Sequence, residues 1–180
     1  MTRSGLPVPA APPMALAEDR LPGRSPAILY PPRVVSGIQP LPAVHLGHYF
    51  GAIQQHLDLH HEYPGQCFVL IADYHSLARN DAEWVRRGTM EIAATYLALG
   101  LDPEKARLYR QSDVPEVTEL AWILSCQLSV GRFAQLYGRR SGLGLGVHRT
   151  LGFYGYPVLM AADILALLGS VVPEAVDQSP

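Results

Sequence analysis

The chain has 180 residues, 48% of them apolar and 17% charged, with a formal net charge of −2. That size and balance fit one globular domain with a sizeable core and exclude a low-complexity or strongly solvated chain. A pI near 6.4 also excludes a global basic field, so any nucleic acid must be met by a local patch or by another part of a larger molecule.

Residues 1–32 hold half of the 16 prolines, including Pro12-Pro13 and Pro31-Pro32. Proline removes backbone donors and blocks helix, so this stretch is expected to be a disordered or extended tail, with the domain spanning 33–180. No apolar run reaches ~18 residues, which predicts no membrane-spanning helix. The amino terminus carries no continuous apolar segment of the secretory type, and the expected location is cytoplasmic. Cys67 and Cys126 lie far apart without C-x-x-C spacing, so neither zinc nor a disulfide framework is expected, and both read as buried reduced thiols.

The first strand is predicted over Arg33-Val-Val-Ser-Gly-Ile38. His45-Leu46-Gly47-His48 follows and opens a helix from Leu46 to about His61. A helix start presents free N–H groups and the positive end of its dipole, and imidazoles donate to phosphate oxygens. Gly47 leaves room for close approach to the backbone. The junction therefore reads as an anion site for a nucleotide triphosphate; taken alone, the two histidines are equally compatible with an ordinary loop. His56, His60 and His61 recur on the same helix. Two of them have metal-ligand spacing, but no third ligand accompanies them, so a solvated helix face is favoured and no metal site is expected.

Cys67-Phe-Val-Leu-Ile-Ala72 is a continuous apolar run, the pattern of a strand covered on both faces. A helix is predicted from Asp81 to Leu99, closed by Gly100, then a short strand over Arg107–Gln111. Asp113 is the expected cap of a helix that has Pro115 near its first position and runs to about Leu128. A further helix is expected over Gly131–Tyr137, a mobile glycine-rich loop over Ser141–Gly146, a helix from near Pro157 to Leu168, and a short strand at Val171-Val172. Gly142-x-Gly144-x-Gly146 does not follow a clear strand, so a phosphate-loop reading is weaker than a loop hinging over the site. Met160 and Trp122 read as core on periodicity alone.

Strand–helix alternation of this length predicts an α/β fold, a Rossmann-like parallel sheet flanked by helices. Ligands in such sheets bind at the carboxyl ends of the strands. Gln39, Asp73, His75, Gln111 and Ser112 follow the three strand ends and are expected to converge with His45 and His48. Asp163 lies on an apolar helix. A buried carboxylate needs a partner, so a pocket role is favoured over a purely structural one.

These segments resemble bacterial tryptophanyl-tRNA synthetases, class I aminoacyl-tRNA synthetases. The resemblance is carried, in order, by Ser36-Gly-Ile-Gln-Pro40, His45-Leu-Gly-His48, Ile71-Ala-Asp-Tyr-His75, Leu99-Gly-Leu-Asp-Pro103, Gln111-Ser-Asp-Val-Pro-Glu116, Thr118-Glu-Leu-Ala-Trp122 and Tyr156-Pro-Val-Leu-Met-Ala-Ala-Asp-Ile164. It covers roughly residues 33–178, the amino-terminal portion of the catalytic domain. It implies that ATP, with Mg2+, and tryptophan are joined as tryptophanyl-adenylate, and that the product is transferred to tRNA(Trp). It also implies that His45 and His48 act on the phosphates in catalysis, and that Gly47, Gln39, Asp177 and Gln178 belong to the ATP side. Asp163 would receive the indole N–H, with Met160, Asp73 and His75 lining the tryptophan pocket. Indole has one donor and no acceptor, so one buried acceptor among apolar walls selects it.

The chain departs from the family pattern at Leu41-Pro42, where Ser-Gly or Thr-Gly is usual, at Arg132-Phe133, at Gly138-Arg139-Arg140 and at Ala175-Val176-Asp177-Gln178. Lys105 is its only lysine, so the lysine-rich second signature of the family is absent from these 180 residues, as is the anticodon-binding domain. The resemblance implies a homodimer. The alternative is a non-catalytic synthetase-like protein that binds tryptophan or nucleotide, or that pairs with a full-length synthetase.

Overall fold

A computed structural model describes residues 31–133, 135 and 150–173. The tail over residues 1–30, the glycine-rich loop, and Asp177 and Gln178 lie outside the described residues. So does much of the helix expected over Gly131–Tyr137, of which residues 131–133 and 135 are helical.

Three five-residue strands, β1 (Val34–Ile38), β2 (Cys67–Ile71) and β3 (Ala106–Arg110), form a parallel sheet in the order β1-β2-β3. Val34 pairs with Cys67, and Cys67 with Ala106. The strand expected at Val171-Val172 is a single parallel bridge on the free edge of β1. There Val35 N–H donates to the Val171 carbonyl at 2.9 Å, and Val171 N–H donates to the Arg33 carbonyl at 3.0 Å. The chain thus returns to the far side of β1, and the topology changes direction beside that strand, the kind of position where open α/β sheets bind ligands.

Among the described residues, five helices with both ends defined flank the sheet. Helix α1 covers residues 46–62 as an α turn (Leu46–His48), a π turn (Tyr49–Ile53) and a regular stretch (Gln54–Glu62). The others are α2 (Asp73–Leu77), α3 (Ala82–Ala98), α4 (Glu116–Gln127) and α5 (Leu151–Ala166). The period of two in the strands sorts the core. Val34, Ile38, Cys67, Val69 and Ile71 face one way, against Ile53 of α1 and Ile92 and Tyr96 of α3. Val35, Leu70 and Ala72 face the other way, against Ile164 of α5 and Leu167 just beyond it. Both faces are covered, as the apolar run of β2 predicts.

Local chemistry sets the helix ends. The Asp81 carboxylate accepts from Trp84 N–H at 2.8 Å and starts α3. Gly100, at φ 99°, ends it in a conformation that suits only glycine. At α4 the expected cap is corrected: Pro115 occupies the N-cap without a side-chain bond, while Asp113 sits in a 3-10 turn (Gln111–Asp113) and accepts from the Arg110 backbone N–H and guanidinium. The cationic fork one turn earlier outcompetes the helix N–H groups for this carboxylate. The same turn takes Gln111 out of the strand. Helix α5 starts at Leu151, six residues before Pro157, because the Thr150 hydroxyl accepts from Phe153 N–H at 3.1 Å and supplies the cap; Pro157 lies inside the helix.

Four burial expectations are also corrected, one of them Met160, expected in the core but 44% exposed on α5. His56 and His60 are buried, and only His61 is exposed, so the histidine face of α1 turns inward. His56 finds partners on both sides: its Nδ1 lies 2.5 Å from the Tyr96 hydroxyl of α3 and its Nε2 lies 2.7 Å from the Ser36 hydroxyl of β1. Cys126 and Trp122 are exposed, because α4 packs on α5 with one flank and the described residues leave its other flank uncovered.

Gly88 of α3 fixes the loop that leads from β1 to α1. A Cβ there would lie 2.6 Å from Leu41 N and 2.8 Å from Pro40 C, backbone atoms that have little freedom to withdraw. Gly88→Ala is expected to destabilise the fold by about 2 kcal/mol, since overpacking outweighs the gain of about 1 kcal/mol in helix propensity. In a thermal melt the midpoint should drop by about 4–8 °C. An unchanged or raised midpoint would contradict this packing.

Candidate functional site

The first group of polar residues is the turn at the start of α1. His45 has extended backbone and caps the helix, with its Nδ1 accepting from Gly47 N–H at 3.1 Å. His48 Nδ1 accepts in return from His45 N–H at 3.2 Å, and the two rings lie 3.7 Å apart. Because both Nδ1 atoms accept, each neutral ring carries its proton on Nε2. Burial and the neighbouring His45 lower the pKa of His48, favouring that neutral form. The turn therefore offers two imidazole N–H donors beside the N–H groups of a helix start, a donor set suited to an anion. A Cβ at Gly47 would lie 2.9 Å from His45 Cε1, so the exposed His45 ring would have to shift to admit one. Gln39, directly after β1, is exposed and precedes the buried Pro40.

The second group lies at the ends of β2 and β3. Asp73, the first residue of α2, is buried. Its Oδ1 accepts from the Tyr74 and Ser112 N–H groups, each at 3.0 Å, and its Oδ2 from the Ser112 hydroxyl at 2.5 Å. This carboxylate bolts α2 to the turn after β3. Two residues on, His75 Nε2 lies 3.1 Å from Oδ2 of Asp163, an α5 side chain with only 4% exposure. Gln111 Nε2 donates to the same carboxylate, at 3.0 Å to Oδ1 and 2.8 Å to Oδ2. Burial and this carboxylate push the Tyr109 phenol up. An acceptor from α5 is thus held by donors from α2 and from the end of β3.

Beside this network lies a cleft of about 410 Å³, lined by Tyr74, His75, Leu77, Thr150, Tyr156 and Leu159 among others. His75 is common to the cleft and the carboxylate network, and its ring meets that of Tyr156 edge-on at 5.9 Å. Met160 is exposed and is not among the lining residues. Of the residues expected to converge, Asp73, His75, Gln111 and Ser112 form one cluster, joined by Asp163, while His45 and His48 form another and the exposed Gln39 is in neither hydrogen-bonded group. Among the described residues no hydrogen bond joins the two. Sequence reasoning marked Gln111 only as a polar residue at a strand end. Its contact with Asp163 spans 52 residues, which a local pattern does not encode.

The same portion of chain recurs in known proteins. The family described as tRNA synthetases class I (W and Y) matches residues 30–180. The tryptophan–tRNA ligases of Rhodopirellula baltica and Fusobacterium nucleatum are each 46% identical over 147 residues, 81% of this chain and 45% of the relative. A crystal structure of tryptophanyl-tRNA synthetase from Campylobacter jejuni complexed with ADP and tryptophan is 41% identical, with a TM-score of 0.69 over 81% of this chain and 46% of that one. A tyrosyl-tRNA synthetase from Archaeoglobus fulgidus, 22% identical with a TM-score of 0.64, shares the fold. The chain spans about half the length of the relatives it matches. With a parallel sheet and helices of the class I type, and a family match running from just before β1 to the last residue, this chain belongs to the class I tRNA synthetases of the tryptophan and tyrosine group.

Proposed function

We propose that this chain is the tryptophan-activating portion of a tryptophan–tRNA ligase. The observation that carries the reading is the buried Asp163 carboxylate, held by His75 and Gln111 next to a largely apolar cleft. Such an acceptor selects a ring with one N–H, and the Campylobacter jejuni relative is complexed with tryptophan and ADP.

In the proposed reaction a carboxylate oxygen of tryptophan attacks the α-phosphorus of ATP. The new P–O bond forms as the bond to pyrophosphate breaks, leaving tryptophanyl-adenylate for transfer to tRNA(Trp). His45 and His48 donate through Nε2–H to phosphate oxygens whose charge shifts during the step, with the Gly47 backbone beside them. Gln39, Asp177 and Gln178 belong to the ATP side. Asp163 orients the indole, with His75, Asp73 and Met160 on the tryptophan side. The described residues include no group of three or more His, Cys, Asp or Glu side chains able to hold a metal. Mg2+ would accompany ATP and screen its phosphate charge. Among the described residues no helix is long and apolar enough to cross a membrane.

A second reading is a non-catalytic relative that binds tryptophan or nucleotide. It is favoured by Lys105, the only lysine in the sequence, which pairs with Asp102 at 3.4 Å on the surface. Lysine charge on the departing pyrophosphate would then come from outside these 180 residues. The exposed Trp122 and Ile123 of α4 support pairing with a second copy or with a full-length synthetase.

Tryptophan-dependent exchange of labelled pyrophosphate into ATP by the purified chain tests the first reading. Exchange is expected, and His48→Ala should lower it by about 100-fold, the usual scale for a transition-state donor. No exchange, with tryptophan still raising the melting temperature, would transfer the conclusion to the binding protein. Neither signal would sink both readings.

A further inference from the structure

We infer that Gln111 is the residue that sets the one-donor specificity of the pocket, acting through Asp163. The inference rests on the tryptophan reading above. A carboxylate has about four acceptor sites on its two oxygens. Gln111 Nε2 contacts both oxygens, at 3.0 and 2.8 Å, and His75 Nε2 contacts Oδ2 at 3.1 Å. Oδ2 therefore carries two contacts and Oδ1 only one, which leaves Oδ1 as the oxygen with room for a further donor.

The orientation of the Gln111 amide is set from its other end. Its Oε1 accepts the His75 backbone N–H at 3.3 Å. Flipping the amide would place Oε1 against the carboxylate and Nε2 against an N–H group, losing both sets of bonds. Gln111 is only 1% exposed, so water cannot readily substitute for these partners. One side chain thus joins the end of β3, the start of α2 and the acceptor on α5. By occupying part of the acceptor capacity it leaves a site that suits a ring with one N–H. A ring without a donor would leave Oδ1 buried and unpaired. Gln111 is a positioning residue; the acceptor remains Asp163.

The test compares tryptophan with the analogue whose indole N–H is replaced by sulfur, benzothienylalanine. Calorimetry on the full 180-residue chain gives both affinities. The wild-type protein should prefer tryptophan by about 10-fold or more, the range for one buried hydrogen bond to a charged acceptor. Gln111→Met keeps the length of the side chain and removes its polar atoms. It should lower tryptophan affinity by about 10-fold and change analogue affinity by less than about 3-fold, so that the preference collapses toward unity. Gln111→Asn, which stays polar but cannot span the same distance, gives the same readout if the methionine variant does not fold.

A variant that keeps the wild-type preference, whatever its melting temperature, overturns the role of Gln111 and leaves the tryptophan reading standing. Equal wild-type affinity for the two ligands overturns Asp163 as the indole acceptor, and Gln111 with it. Binding of neither ligand by the wild-type chain overturns the tryptophan reading itself, and this inference falls with that reading.

Discussion

Acidification from about pH 6.5 toward pH 4 is expected to cost the folded chain about 3 kcal/mol through His56 alone. The ring is held between the Tyr96 hydroxyl at 2.5 Å and the Ser36 hydroxyl at 2.7 Å, with no carboxylate bonded to it. Burial lowers its pKa from 6.5 to about 4. Above pH 6.5 the ring is neutral in both the folded and the unfolded chain, and its contribution is fully present. Between the two values the unfolded chain takes up a proton that the folded chain does not, so unfolding is favoured as pH falls. Below about pH 4 both states are protonated and the loss levels off. Urea unfolding between pH 7 and pH 4 measures the slope. His56→Phe should flatten it, even though the Ser36 and Tyr96 hydroxyls left behind lower stability at neutral pH by roughly 1–3 kcal/mol each. Equal slopes in the two proteins would show that His56 is not the group responsible. The position matters because His56 joins α1, which carries the His45–His48 turn, to β1 and to α3.

Most of this frame was legible in the residues. The apolar runs at Val34–Ile38 and Cys67–Ile71 mark strands, and Asp81 and Gly100 mark the ends of α3, because each of these signals is local. The histidines of α1 were misread for the opposite reason. Their spacing puts them on one helical face, but whether that face meets water depends on what lies opposite. Here the opposing hydroxyls come from Ser36 and Tyr96, 20 and 40 residues away. Asp113 was misplaced because two local partners compete for it, and the guanidinium of Arg110 wins over the start of α4. Proline near the start of a helix is a sound guide at Pro115. At Pro157 it points to the wrong residue, because the Thr150 hydroxyl caps α5 seven residues before it. In the site, Asp163 was identified from its apolar helix and from family resemblance. Its donor Gln111 emerges only when β3 and α5 are brought together.

Asp163→Ala is expected to be among the most damaging single substitutions in the chain, lowering stability by about 4 kcal/mol. The carboxylate is the shared acceptor of Gln111 Nε2 and His75 Nε2. Its removal leaves two buried donors without a partner, at roughly 1–3 kcal/mol each, together with a cavity on α5. A domain with a total stability of about 5–15 kcal/mol keeps little reserve after such a loss. Asp163→Asn separates the two roles of the side chain. The asparagine carbonyl continues to accept from Gln111 in place of Oδ1, while its NH2 group loses the Gln111 bond to Oδ2 and faces His75 Nε2, which must then become an acceptor by moving its proton to Nδ1. The cost to stability should be about 1 kcal/mol, the net value of one hydrogen bond. Tryptophan affinity should nevertheless fall by about 10-fold or more, because the charged acceptor is gone and a neutral carbonyl is a weaker acceptor for the indole N–H. Denaturant unfolding and tryptophan calorimetry on the same two variants read these effects independently. An asparagine variant that binds tryptophan as tightly as the wild type would confine Asp163 to holding α5 against α2 and β3, and the indole acceptor would have to be sought elsewhere.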